Sequence, residues 1–256
     1  MKRTLVTMLG SAAIVVGVSP TAKAEAFLSL QNGATILSCN TSIAFSAANC
    51  GAGFTAVLGG SSIDFTGTVG GYTVSDVHLV SNQPGNAAIG FATDTKTLVQ
   101  NVSAGATALI VSFAVNNFAL PAGSPLTLSA SQSATFIAAA AGSSQAFTGW
   151  GNAANTLLAG PGNGTPVVTP NCVNPAAAPP ENACASAGVP VLFTRTGNFA
   201  LNGVETLNLN QGGMGNFQGS IAVTPPSAVP EPGSLVLLAT GLFGLVAGRR
   251  FLRNNT

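Results

Sequence analysis

The sequence predicts an all-β fold, an antiparallel β-sandwich or jelly-roll-like domain, with an N-terminal signal helix and a short C-terminal transmembrane helix at its two ends. Three observations carry that expectation. Apolar residues between positions 27 and 150 recur with period two, the spacing of a strand with one buried face. Turn signals punctuate them at short intervals: Gly59-Gly60, Gly70-Gly71, Gln83-Pro84-Gly85 and Pro121-Ala122-Gly123. No amphipathic helical pattern interrupts the series, and regular short strands with such punctuation are the mark of a sandwich.

Taken in order, the chain opens with Lys2 and Arg3, then an uncharged apolar run over 5–18. Ala22-Lys23-Ala24 places small residues at Ala22 and Ala24, where a signal peptidase reads, so residues 1–24 are expected to leave as a signal peptide. The run is too short for a permanent bilayer span. Residues 25–224 form the expected β-sandwich ectodomain. Strands are expected over 54–58, 62–66, 72–78, 109–116, 126–129 and 134–137. Over 109–116, Leu109, Val111, Phe113 and Val115 point one way and Ile110, Ser112, Ala114 and Asn116 the other. The alanine-rich run 138–141 reads as a strand continuation or loop, given Phe136, Ile137 and Gly142 around it.

Residues 159–190 break the pattern. Their proline and glycine content cannot sustain strands, so they read as a disulfide-stapled loop inserted between strands. Strands resume over 191–194, 197–201, 205–209 and 216–223. Pro225 and Pro226 open a stalk, residues 225–233, and residues 234–256 form an apolar helix and basic tail.

The fifteen residues 234–248 would span only about 22 Å as a helix, at ~1.5 Å each. That is short of a ~30 Å hydrocarbon core. Phe251, Leu252 and outward-snorkelling arginines make up the difference. Arg249, Arg250 and Arg253 form a basic stop-transfer cluster that stays cytoplasmic, placing the rest of the chain on the other side. Such a helix suits temporary retention better than permanent anchoring; the rival is an ordinary single-span anchor.

Pro230-Glu231-Pro232, the short apolar helix and the arginines, in that order, resemble the PEP-CTERM sorting signal of Gram-negative bacteria. The resemblance covers about the last 28 residues. It implies an exosortase, a membrane-embedded cysteine protease, as partner beside the export machinery, with cleavage near the tripeptide. It also implies a protein anchored transiently in the membrane, then released or transferred to the cell envelope or beyond. The body is similar to a group of exported proteins with this tail, through residues 65–74, the turn Asn82-Gln83-Pro84-Gly85 and residues 199–223. That group has no assigned activity, so the likeness bears on fold alone.

Between the two ends, residues 25–230 hold Lys96 and Arg195 against Glu25, Asp64, Asp76, Asp94, Glu181 and Glu205, a net charge of −4. Two cations cannot neutralise a run of phosphates, which excludes nucleic-acid binding. Eight charges in 206 residues is far below the usual quarter. Solubility therefore rests on Ser, Thr, Asn and Gln, a surface suited to contact with neighbours or with extracellular polysaccharide. All four cysteines, Cys39, Cys50, Cys172 and Cys184, lie in the exported part, where disulfides are the default. Three connectivities are possible, and local closure of each pair is favoured. One histidine and no Cys-x-x-Cys leave no metal site to assign.

Strand alternation puts Tyr72, Val74, Asp76 and His78 on one face, so Asp76 could orient the imidazole of His78. No Gly-x-Ser-x-Gly elbow accompanies the pair, and it reads as solvent-facing. Asp64, Asp76, Asp94, Glu181 and Glu205 are too few and too scattered to suggest a glycosidase pair, and with no Asp-rich loop to mark a calcium site Asp64, Asp76 and Asp94 read as solvated turn residues. No catalytic residue and no cofactor is assigned. The expectation is a non-enzymatic surface or matrix protein. A carbohydrate-binding or adhesive module is the first rival and predicts Trp150 or Tyr72 exposed on a flat face, since aromatic platforms are the usual sugar contact. A hydrolase is the second and requires His78 in a cleft beside a serine or carboxylate.

Overall fold

The computed structural model describes residues 25–41, 50–56, 60–157, 164–176 and 181–226, together with Thr240. The expected signal segment with Ala22 and Ala24, the tripeptide Pro230-Glu231-Pro232, the arginines 249, 250 and 253 and, Thr240 apart, the segment 234–256 lie outside these residues.

Period-two sequences make strands here as expected. The first are β1 (Ala26–Asn32), β2 (Thr35–Asn40), β3 (Phe54–Ala56), β4 (Ile63–Val69) and β5 (Tyr72–Ser81). There follow β6 (Gly90–Asn101), β7 (Leu109–Phe118), β8 (Leu126–Ala138), β9 (Ser144–Asn152) and β10 (Thr165–Val168). The last are β11 (Cys172–Val173), β12 (Asn182–Ala187), β13 (Val191–Phe193), β14 (Phe199–Asn208) and β15 (Met214–Thr224). Pairing between these strands is antiparallel throughout. The first sheet runs β10-β9-β14-β7-β1-β2, with β11 also on β9. The second runs β12-β8-β15-β6-β5-β4-β3, with β13 also on β8.

The two sheets pack face to face. Leu109, Val111, Phe113 and Val115 of β7 are fully buried, as their alternation requires. Opposite them the second sheet presents Ile63, Phe65, Val77, Leu79, Leu128, Phe136 and Ile221. Burial of each such side chain stabilises the fold by roughly 1.5–3 kcal/mol. The approach is close enough that a Cβ on Gly149 of β9 would stand 2.6 Å from Ile221 Cδ1 of β15. At one end, Phe199 stacks with Phe118 and meets Phe193 edge-on, each at 5.5 Å. Arg195 caps that end: its guanidinium lies 5.0 Å from the Phe199 ring and donates to the carbonyls of Ala119, Pro121, Gly123 and Gly197. At the other end Asn101 Nδ2 donates to Leu209 O at 2.6 Å, joining the two sheets.

Two expectations need correction. Residues 159–190 are not strandless: β10 extends the first sheet, β12 the second, and β11 pairs with β9. Edge positions tolerate the proline at 166, because an edge strand leaves part of its N–H row unpaired. The stapling itself is present: Cys39 bonds to Cys50 and Cys172 to Cys184, the local pairing. The second correction concerns β5. Tyr72 and Val74 face inward, but Asp76 and His78 face outward, because the register shifts between Phe65 and Gly67 of β4. The bulge breaks the one-to-one pairing of β4 with β5 and reverses the phase of β5 beyond Val74.

Candidate functional site

The bulge decides where His78 goes. Moved to the outer face of the second sheet, its ring Nδ1 contacts Asp64 Oδ1, its directly paired neighbour on β4. Asp76, the partner alternation offers, is not the one used. Both members of the pair are partly exposed. A surface pair of this kind contributes about 0–1 kcal/mol.

From Asp64 a row of paired residues crosses the sheet: His78, Thr95, Gln218, Ser133 and Ala185. The rows beside it have the same character. On β8, Thr127, Ser129, Ser131, Ser133 and Thr135 alternate with buried residues, and on β6 Thr93, Thr95 and Thr97 do the same. Thr93 and Ser220 of β15 hydrogen-bond across the strands at 2.9 Å. Apart from Asp64, Asp76 and His78 at one side, these rows are uncharged, with hydroxyl and amide groups set among the apolar Val80, Ala185 and Ala187. At the β12 edge the small side chains of Ser131, Ser133, Ala185 and Ala187, with Gln218, line a shallow hollow of about 420 Å³.

The aromatic platforms that a sugar site would use are elsewhere. Tyr72 is buried between the sheets, and Trp150 on β9 is 6% exposed. Among the described residues no group of three His, Cys, Asp or Glu is placed to hold a metal ion.

A second polar site lies inside the sandwich, and sequence reasoning missed it. Asp94 and Lys96 of β6 and Glu205 of β14 are all buried at or below 1% exposure, and Lys96 Nζ contacts Asp94 Oδ2 and, at 2.5 Å, Glu205 Oε2. The main-chain N–H of Gly219 donates to Asp94 Oδ1 at 3.0 Å. Gln145 of β9 donates from Nε2 to Glu205 Oε1 at 3.0 Å and to Gln218 O at 2.9 Å. Gly219 is required by this crowding, since a Cβ there would lie 2.7 Å from the Phe147 ring and 2.8 Å from Asp94 Oδ1.

Electrostatics inside the cluster follow from burial. Burial pushes the Glu205 carboxyl up to about 8, with Lys96 opposing the rise and Asp94 adding to it. Burial acts to lower Lys96, but the nearby carboxylates of Asp94 and Glu205 override it and hold the ammonium above its ordinary value. With Glu205 protonated the cluster is neutral, the state that best avoids a net buried charge. The signal in the sequence was parity: Asp94 and Lys96 share a face with Ala92, and Glu205 shares one with Leu207. All three are therefore core groups, and Asp94 is not the solvated turn residue expected.

Comparison with known proteins adds one further feature. The family model of the PEP-CTERM protein-sorting motif matches residues 228–250. No curated protein matches the chain. Among solved structures, a chain from the structure of infectious bursal disease virus, Gx strain, is similar over 86% of this chain at 14% identity and a TM-score of 0.26. The match spans 55% of that viral chain's length.

Proposed function

We propose, from the PEP-CTERM sorting motif that this chain carries at residues 228–250, that it is an exported cell-surface or extracellular-matrix protein with a structural or interaction role and no catalytic activity. The motif is the observation that carries the reading. It implies export, transient anchoring through the C-terminal segment and processing by an exosortase near Pro230-Glu231-Pro232. Two disulfides accord with an oxidising compartment. His78 supports the non-enzymatic reading, since it is engaged by Asp64 on an open sheet face and does not line the hollow at the β12 edge. Fractionation of host cells with and without a functional exosortase tests the reading. The precursor should accumulate in the membrane when the protease is missing; an unchanged distribution would contradict it.

A second reading is favoured by the hydroxyl-rich face of the second sheet. An uncharged array of Ser, Thr and Gln side chains complements a neutral polysaccharide, which offers donors and acceptors and no charge. Contact would be made by hydrogen bonds across a flat surface, because Trp150 and Tyr72 are buried. Co-sedimentation with the host's own polysaccharide tests it: Ser131→Glu and Ser133→Glu together should release the protein, and equal retention of variant and wild type would exclude this face.

A further inference from the structure

Three of the eight charged side chains in residues 25–230 are sealed in the core, and their arrangement is that of reactants. We propose that Lys96 and Glu205 are joined by a self-generated amide bond, formed with Asp94 as proton acceptor and Gln145 as the group that polarises the Glu205 carbonyl.

Geometry supplies each role. The amine nitrogen rests 2.5 Å from Glu205 Oε2, beside the carbon it would attack. Asp94 Oδ2 touches the same nitrogen and is placed to take its proton. Gln145 Nε2 donates to the other oxygen of Glu205, Oε1, where negative charge would develop, and is itself held by Gln218 O. Phe147, stacked on Phe113 at 6.1 Å, and the tight packing around Gly219 keep the site apolar. Fixing amine and acid together in this way replaces a bimolecular encounter, an advantage equivalent to ~10⁵–10⁸ M for well-oriented groups.

The step balances without a cofactor. The Lys96 ammonium gives one proton to the Asp94 carboxylate. The free amine adds to Cδ of the Glu205 carboxylic acid, and a second nitrogen proton moves to the Oε2 hydroxyl. That oxygen leaves as water, and the products are an Nζ–Cδ amide and protonated Asp94. Glu205 is the electrophile for two reasons. Asp94 already has Oδ1 engaged by the Gly219 N–H and Oδ2 by the Lys96 amine, whereas burial keeps Glu205 in its protonated form at neutral pH. A bond to Glu205 also joins β6 of the second sheet to β14 of the first, while Asp94 lies on the same strand as Lys96.

Intact-mass measurement of the folded, purified protein tests this directly. The wild-type chain should be lighter than its disulfide-bonded sequence by one water, and Lys96→Arg should restore the full mass. Glu205→Gln should lose ammonia in place of water, which separates reaction at residue 205 from any dehydration elsewhere. Fragment spectra should show one branched peptide linking positions 96 and 205. A folded wild-type protein with the unmodified mass after prolonged incubation would overturn the proposal, and so would a branch at Asp94. The wild-type mass decides the matter even if a variant fails to fold.

Discussion

The hydroxyl of Tyr72, on β5 of the second sheet, donates to the carbonyl oxygen of Leu207, on β14 of the first, at 3.4 Å. The hydroxyl oxygen in turn accepts the N–H of Leu209 at 3.4 Å. One side chain thus bridges the two sheets at the end of the sandwich where Asn101 also bonds to Leu209. Burial raises the Tyr72 phenol above its ordinary value, against the lowering effect of its backbone partners.

An alkaline titration reads this bridge, because Tyr72 is the only tyrosine in the chain. A raised folded value means that the contribution of Tyr72 is intact below its unfolded value of about 10 and is lost as pH rises through the folded one. Tyrosinate absorbance should therefore appear later for the folded protein than in denaturant, with stability falling over that interval. Coincident titrations would show that the phenol is not buried. Tyr72→Phe should lower stability by about 1 kcal/mol.

Cys172 lies on β11, against the first sheet, and Cys184 on β12, against the second, so their bond clamps the two sheets at one edge. It closes a separation of 12 residues. Replacing both cysteines by serine should lower unfolding free energy by ~3 kcal/mol, as constraint of a loop of this size implies. Denaturant unfolding of the double variant measures it; an unchanged midpoint would mean that the edge holds without the clamp.

Gly219→Ala probes the packing over Asp94. A methyl group there meets both the Phe147 ring and the Asp94 carboxylate inside van der Waals distance. Overpacking of this kind costs typically about 1–3 kcal/mol. Thermal unfolding should show the loss, and a variant as stable as wild type would mean that the ring moves aside.

His78→Ala should leave unfolding free energy within about 1 kcal/mol of wild type, because its contact with Asp64 is open to water. A larger loss would assign His78 a role that an open surface pair does not have.

How far the fold was legible in the sequence depends on the element. β7 was readable because its inward set, Leu109, Val111, Phe113 and Val115, is purely apolar. β5 was not, because the bulge at Phe65 and Gly67 has no mark in the sequence that separates it from continued alternation. The edge strands within 159–190 were hidden by their proline and alanine content, which an edge position tolerates and a central strand does not. The Asp94–Lys96–Glu205 cluster was hidden more deeply. Charge is the usual mark of a solvent face. Only the fold brings β6 and β14 together and shows that the three charges meet inside the core.

Removal of the sorting tail is tested most directly by the C-terminal peptide of the mature protein recovered from its host. Mass spectrometry should find an end near Pro230, with the apolar segment and the arginines removed. A mature protein that still ends at Thr256 would contradict processing at the tripeptide.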